Sequence, residues 1–231
     1  MEENKSEKNG SLFGGIFGVI WSPSETLGRI VQKPDFLGAG GLFLLVSLLL
    51  TLPILSKLRE AAALSLKNMP GVLSPSQVDM ALNIAVITAV IASVLMPAIM
   101  WLVIAALLKL FNAFTGEKAT FKALFAVTVF SYLPLMIESV IKTVMIMLSP
   151  AEKISGITIS PALLLPPPGP IPGKFYVFLS QFDPFIIWSV LLTALGAAIA
   201  MKIPFFRTAF YLLGLWLLYV IGLTLVSGLG A

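Results

Sequence analysis

Five long apolar stretches, separated by polar or proline-rich segments, dominate the hydrophobic pattern of the chain. A helix needs about 20 mostly apolar residues to cross a hydrocarbon core of roughly 30 Å. The stretches meet or approach that length, so we predict an all-α integral membrane bundle of five transmembrane helices. The predicted spans are 36–56, 80–111, 121–148, 184–200 and 206–228. Pro97 and Pro134 lie inside the second and third spans, where we expect kinks.

The composition supports a membrane protein and excludes several other classes. Of 231 residues, 58% are hydrophobic and 11% are charged, and the mean hydropathy is +1.00. A water-soluble surface requires far more charge, which excludes a cytosolic enzyme, a secreted disulfide scaffold and a nucleic-acid-binding module. The chain has no Cys and no His, so thiol chemistry, imidazole catalysis and Cys/His metal sites are absent. We therefore predict a non-enzymatic protein with no catalytic residue, cofactor, metal or nucleic-acid partner.

Lys and Arg are unevenly distributed between the predicted spans. Cytoplasmic segments of multi-pass membrane proteins carry an excess of these residues. With five spans, the N-terminal side carries Lys5, Lys8, Arg29, Lys33, Lys109, Lys118, Lys122, Lys202 and Arg207. The other side carries Lys57, Arg59, Lys67, Lys142, Lys153 and Lys174, spread over longer segments. This bias predicts a protein of the cell membrane with a cytoplasmic N-terminus and an external C-terminus.

Residues 1–35 form the predicted N-terminal arm, which lies in the cytoplasm or on the inner membrane surface. Part of it has the apolar spacing of an amphipathic helix that lies on the inner leaflet. The residues of this stripe are Leu12, Phe13, Ile16, Phe17, Ile20 and Trp21. Glycines at 14, 15 and 18 make this segment a weak helix on its own.

Three Ser-Pro-x-Glu/Gln sequences, beginning at Ser22, Ser74 and Ser149, predict helix starts. In each, Ser would cap the helix, Pro would occupy the first helical position, and the Glu or Gln would close a capping box. Asp183-Pro184 is predicted to start the fourth span in a similar way.

The connections and the small residues add further predictions. Strong helix formers over 57–67 predict that the first helix continues past the bilayer. The Leu-Leu-Leu-Pro-Pro-Pro run over 163–168 is predicted to be extended and not helical, with its leucines over the outer mouth of the bundle. Small residues predict close helix packing within the chain, in preference to a dimerisation motif. They are Ala194, Gly196, Ala197, Ala198 and Ala200 in the fourth span and Gly214 and Gly222 in the fifth.

Polar residues inside a span are costly and usually serve a purpose. Glu138 and Lys142 are such a pair in the third span, and their four-residue spacing favours an intrahelical ion pair. Thr128 and Ser131 fall on the same helical face, which we expect to point into the bundle toward Asn83. Two interpretations remain open: a polar cavity that handles an ion, a proton or a lipid headgroup, or a neutralising pair that fixes helix register.

The stretch 115–136, TGEKATFKALFAVTVFSYLPLM, resembles the Ypt-interacting-protein (YIP) domain family, especially its prokaryotic branch. The matching residues are the turn residue Gly116, the helix start Phe121-Lys122 after Thr120, and Tyr132 and Pro134 of the element Ser131-Tyr132-Leu133-Pro134. The resemblance implies a five-span YIP-like domain over 36–229 with a cytoplasmic N-terminus. The Asp-Leu-Tyr-Gly-Pro element of eukaryotic members is replaced here by Asp-Phe-Leu-Gly-Ala at 35–39, so binding of Rab-type GTPases does not carry over.

Two functions remain open at this level. The leading hypothesis is a scaffold or membrane-organising, trafficking-related protein that binds membrane lipids or a protein partner on the cytoplasmic side and can form a homo-oligomer. The alternative is a small transporter, channel or lipid-moving protein that uses a polar cavity around Glu138.

Overall fold

The structure is a computed structural model that describes residues 12–67, 74–116, 119–168 and 172–227. Every regular element in these ranges is helical. The α-helices are α1 (Leu12–Trp21), α2 (Pro23–Gln32), α3 (Leu37–Thr51), α4 (Leu55–Lys67), α5 (Pro75–Thr115), α6 (Phe121–Phe130), α7 (Leu133–Leu148), α8 (Lys174–Ser180), α9 (Pro184–Met201) and α10 (Phe205–Val226). Short 3-10 helices cover Leu52–Ile54, Ala151–Gly156 and Pro161–Leu164.

Five helical stretches are long and apolar enough to cross a membrane, which confirms the predicted all-α membrane bundle. They are Leu37–Lys67, Pro75–Thr115, Phe121–Leu148, Pro184–Met201 and Phe205–Val226. The first includes α4, so the helix continues through 57–67 as predicted. The predicted end of the fifth span at residue 228 lies outside the described residues, as do Lys5, Lys8 and Lys118.

The two prolines inside spans have different effects. α5 continues on both sides of Pro97. Pro134 lies in the first turn of α7, and α6 ends at Phe130, four residues before it. A proline ring clashes with the carbonyl four residues earlier and offers no N–H, so a continuous helix would be interrupted at this point. The third span is accordingly broken at Ser131 and Tyr132.

Contacts divide the chain into two units, of which unit 1 contains residues 1–44, 97–136 and 185–216. Its core consists of Leu108, Ala119, Leu124, Ala194, Ala197, Met201, Ala209 and Leu212. Gly196 of α9 lies against Val127 of α6, because a Cβ on Gly196 would be 2.5 Å from Val127 Cγ1. This confirms the close packing predicted for α9. The same prediction was wrong for Gly214 and Gly222 of α10, where an added Cβ would meet no described atom within 4 Å.

The arm helices α1 and α2 belong to unit 1 and pack against α6. A Cβ on Gly15 would be 3.1 Å from Phe130 Cε1, and one on Gly18 would be 2.6 Å from Thr26 Oγ1. Ile16 and Val19 on the same helix are buried. The glycines that lower helix propensity therefore also let α1 approach its neighbours closely.

Unit 2 contains residues 45–96, 137–184 and 217–231. In it, α4 packs on the 3-10 helix Ala151–Gly156, and the Lys57 ammonium donates a hydrogen bond to the Ser149 carbonyl.

The helix α8, which the sequence pattern does not predict, packs on the 3-10 helix Pro161–Leu164. The prediction that residues 163–168 are not helical was therefore wrong at positions 163 and 164. The turn forms because Pro161 opens it and the Ser160 hydroxyl accepts from the Ala162 N–H at 3.3 Å.

Only one of the three predicted capping boxes forms among the described residues. The Ser74 N–H donates to Gln77 Oε1 at 2.8 Å, and the Gln77 N–H donates to Ser74 Oγ at 3.4 Å. The Ser22 N–H already donates to the Gly18 carbonyl at 2.9 Å, and the Ser149 N–H donates to the Ile146 carbonyl at 3.2 Å. A capping box needs a free N–H on the capping residue, and in these two cases the preceding helix has used it.

Candidate functional site

Glu138 and Lys142 lie one turn apart on α7 and form an ion pair. Only 9% of the Glu138 side chain is exposed, whereas 35% of the Lys142 side chain is exposed. The α-helical spacing of four residues brings the two groups together without any contribution from another element. Lys142 therefore shields the buried carboxylate from one side, while part of its own side chain stays at the surface of the protein.

A third charged group, Asp183, completes this cluster. The Lys142 Nζ atom is 3.6 Å from Asp183 Oδ2, and only 1% of the Asp183 side chain is exposed. Asp183 directly precedes Pro184, the first residue of α9, so the contact joins α7 to the start of the next span. When all three groups are ionised, two carboxylates share one ammonium and the cluster carries one formal negative charge. We call Glu138, Lys142 and Asp183 the charged cluster.

The sequence pattern predicts only a helix start at Asp183. One signal could have identified it: beyond Lys122 in its first turn, the charged residues of the third span are Glu138 and Lys142. Asp183 is the only charged residue within nine positions before α9 or anywhere in α9. A carboxylate placed where the chain enters an apolar span is costly without a cation nearby. Lys142 supplies that cation.

The other predicted site residues make their hydrogen bonds elsewhere. Thr128 Oγ1 donates to the Phe125 carbonyl at 2.8 Å and is 3.3 Å from the Trp101 carbonyl. Ser131 is fully buried, and its carbonyl accepts from Ser189 Oγ at 2.8 Å. Both residues belong to unit 1, where these bonds tie α6 to α5 and the break after α6 to α9.

Asn83 is exposed on α5, and its side-chain oxygen accepts from Arg59 Nη1 at 2.6 Å. Arg59 Nη2 also lies 3.8 Å from Asp79 Oδ1. The polar partner that unit 2 supplies to Glu138 and Lys142 is therefore Asp183, and Asn83 belongs to a separate polar contact between α4 and α5.

Two residues that resemble the family motif, Gly116 and Thr120, lie between α5 and α6. Gly116 has a φ of +74°, a backbone conformation that favours glycine. From the last turns of α5, Asn112 Oδ1 accepts from the Ala119 N–H at 3.3 Å and Lys109 Nζ donates to the Ala119 carbonyl at 2.8 Å. Thr120 then caps α6 by accepting from the Ala123 N–H at 3.2 Å. The sequence identifies Gly116 but carries no signal for Asn112 and Lys109, whose partner Ala119 lies seven and ten residues away.

The other motif residues lie at the two ends of α6. Phe121 and Lys122 form its exposed first turn. Tyr132, in the break after α6, packs edge-on against Trp101 with ring centroids 5.4 Å apart and lies 6.2 Å from Phe43. Pro134 is buried at the start of α7. These residues shape helix ends and contacts between helices.

A separate surface of unit 1 is apolar and uncovered. Phe13, Phe17 and Trp21 of α1 are 60%, 55% and 83% exposed. Their spacing of four residues places them on one face of the helix. Val19 is buried on the opposite side, and Ile16, which the sequence places in the same stripe, is buried as well. We call Phe13, Phe17 and Trp21 the aromatic stripe.

Comparison with known proteins supports the resemblance seen in the sequence. The family model of the Yip1 domain matches residues 17–226. No curated protein and no solved structure gives a significant match to the chain. Because the match covers the second half of α1, all of α2 and all five spans, the chain belongs to the Yip1 domain family.

Proposed function

We propose that this protein is a non-enzymatic scaffold that organises the cell membrane by holding the aromatic stripe in the headgroup layer of the cytoplasmic leaflet. The single observation that carries the proposal is the aromatic stripe itself, exposed on a helix whose other side is packed on α2 and α6. Aromatic side chains are favoured in the interfacial layer of membranes. A helix fixed in this way inserts without the cost of ordering a free arm.

The charges of unit 1 support lipid as the ligand of this surface. Among its described residues, the basic side chains are Arg29, Lys33, Lys109, Lys122, Lys202 and Arg207. The acidic ones are Glu25 and Asp35. Basic residues near a membrane surface attract anionic lipids, and their excess supports a cytoplasmic N-terminus with an external C-terminus.

Replacing the aromatic stripe with serine (Phe13→Ser, Phe17→Ser and Trp21→Ser together) is expected to lower the anionic phospholipid that co-purifies with the protein several-fold. The buried side of α1 is untouched, so its packing on α2 and α6 is expected to persist. The measurement is headgroup analysis of lipid retained after mild detergent extraction from native membranes, together with a thermal unfolding curve. Phe114→Ser is the matched control, since Phe114 is an aromatic residue with 82% exposure outside the stripe.

The same purification tests the scaffold role against other partners. Unchanged lipid retention together with loss of a specific co-purifying protein would replace the lipid surface by a cytoplasmic protein partner. Unchanged lipid and unchanged protein content in the triple variant would refute a role for the stripe.

A second candidate function, ion or lipid movement, is favoured by one specific observation, the unequal number of carboxylates and ammonium groups in the charged cluster. Intramembrane ionisable residues often mark transport pathways. Under the scaffold proposal, proteoliposomes containing the protein are expected to show no more proton or lipid flux than protein-free vesicles, and Glu138→Gln changes nothing. Flux that requires the protein and is abolished by Glu138→Gln, but not by Glu152→Gln, would establish the second function instead.

A further inference from the structure

The connector between α7 and α9, residues 149–183, carries large apolar side chains that the described protein leaves uncovered. Leu163 is 65% exposed, Leu164 is 86% exposed and Phe175 is 64% exposed. The sequence pattern predicts that the two leucines cover the outer mouth of the bundle. Their exposure requires another explanation, because large apolar side chains on a membrane protein are stabilised where lipid covers them.

The leucines are held outward by a well-formed turn. Thr158 Oγ1 and Ser160 Oγ lie 2.7 Å apart, and both residues are buried together with Ala162. Ser160 accepts from the Ala162 N–H, and the Leu163 N–H donates to the Ser160 carbonyl at 3.0 Å. The buried polar residues thus fix the base of the 3-10 helix, and Leu163 and Leu164 occupy its exposed end.

The second apolar element lies beside this turn. α8 packs on the 3-10 helix Pro161–Leu164, so Phe175 and the leucines belong to one local assembly. Lys174, next to Phe175, is also exposed. A cation beside exposed apolar side chains is the pattern of a segment that inserts among headgroups, because the ammonium reaches the phosphate layer while the apolar groups enter the acyl boundary.

The position of the connector in the chain brings this assembly to the membrane surface. It begins after Leu148, the end of one span, and ends before Pro184, the start of the next. Leu148 is itself 82% exposed, and Met147 and Val144 before it are each 49% exposed. The exposed apolar side chains of α7 thus extend to the last residue before the connector.

We infer that the exposed apolar side chains of the 3-10 helix Pro161–Leu164 and of α8 insert into the phospholipid interface on the membrane side opposite the N-terminus. The ligand is the headgroup and upper acyl region of the surrounding bilayer. This inference is independent of the function proposed for the aromatic stripe, which concerns the other side of the membrane.

Single nitroxide labels test the inference directly, because the chain contains no Cys. Full-length protein carrying Leu164→Cys or Phe175→Cys is labelled and reconstituted in vesicles of phosphatidylcholine and phosphatidylglycerol. Collision rates of the label with oxygen, which concentrates in lipid, and with a water-soluble nickel chelate are then compared. Ser155→Cys is the matched control, since Ser155 is an exposed polar residue of the same connector.

The ratio of oxygen to nickel collisions at positions 164 and 175 is expected to exceed that at position 155 several-fold. Ratios equal to the control would place the assembly in water and overturn the inference. Low collision rates with both reagents on an immobilised label would mean that protein covers the surface, and spin–spin broadening would identify that cover as a second copy. Either result also overturns it, and neither affects the lipid-retention result for the aromatic stripe.

Discussion

Lys142→Ala is expected to destabilise the protein by about 3 kcal/mol, the lower end of the range for removing one member of a buried ion pair. The reason is that Glu138 and Asp183, 9% and 1% exposed, would lose the ammonium that faces both of them. The lower end applies because 35% of the Lys142 side chain is exposed, so the ion pair is only partly buried. The measurement is unfolding in mixed micelles with increasing SDS, followed by far-UV circular dichroism.

The matched control is Lys153→Ala on the exposed connector, which is expected to change stability by less than about 0.5 kcal/mol. Removing one carboxylate instead, as in Asp183→Asn, is expected to cost less than Lys142→Ala. That variant leaves Glu138 and Lys142 as a neutral pair, whereas the lysine variant leaves two like charges in an apolar setting. Equal effects of Lys142→Ala and Lys153→Ala would mean that the cluster is fully hydrated.

The pattern of apolar residues was sufficient to predict the five spans because a membrane imposes a length on every crossing helix. Apolar runs of the required length have few alternative folds in a bilayer, where each backbone polar group must be paired internally. The helix–helix contacts inside the two units are harder to predict from the sequence. Gly196 and Gly214 lie in similar apolar surroundings in sequence, yet only Gly196 contacts a neighbouring helix in the described protein.

Local motifs were predictive only where their surroundings left the required groups free. The Ser-Pro-x-Gln sequence at Ser74 forms its capping box, whereas those at Ser22 and Ser149 follow a helix that already binds the serine N–H. The surroundings of a motif also explain why the 3-10 helix after Ser160 was not predicted. A run of prolines resists an α-helix, but one proline at the first position of a short turn favours it.

Two of the three residues of the charged cluster could be predicted from the sequence. Glu138 and Lys142 lie on one helix, so their spacing of four residues alone brings them together. Asp183 lies 41 positions after Lys142 in the chain. Their contact is therefore visible only in the structure, where the residue before α9 lies beside α7. The motif residue Gly116 was likewise identified by its type, whereas Asn112 was missed because an asparagine in a helix carries no signal of a partner beyond the next turn.

Gly196→Ala is expected to destabilise the protein by about 1–3 kcal/mol, the usual cost of overpacking a filled core. Alanine would be favoured over glycine by about 1 kcal/mol from helix propensity alone, so packing decides the sign. The new Cβ would lie 2.5 Å from Val127 Cγ1 and 3.0 Å from Val127 Cγ2. Val127 is fully buried and branched at Cβ, which leaves it little freedom to rotate away.

Two comparison variants make the Gly196 result specific to this contact. Gly214→Ala on α10, where a Cβ would meet no described atom within 4 Å, is expected to be neutral or slightly stabilising. Val127→Ala removes the two methyl groups that the new Cβ would strike, so the double variant is expected to be more stable than the two single effects predict. The same SDS titration measures all four variants. Additive effects, or a Gly196→Ala variant as stable as Gly214→Ala, would show that α6 and α9 have room between them and that the apolar face of α9 packs less tightly than its small residues suggest.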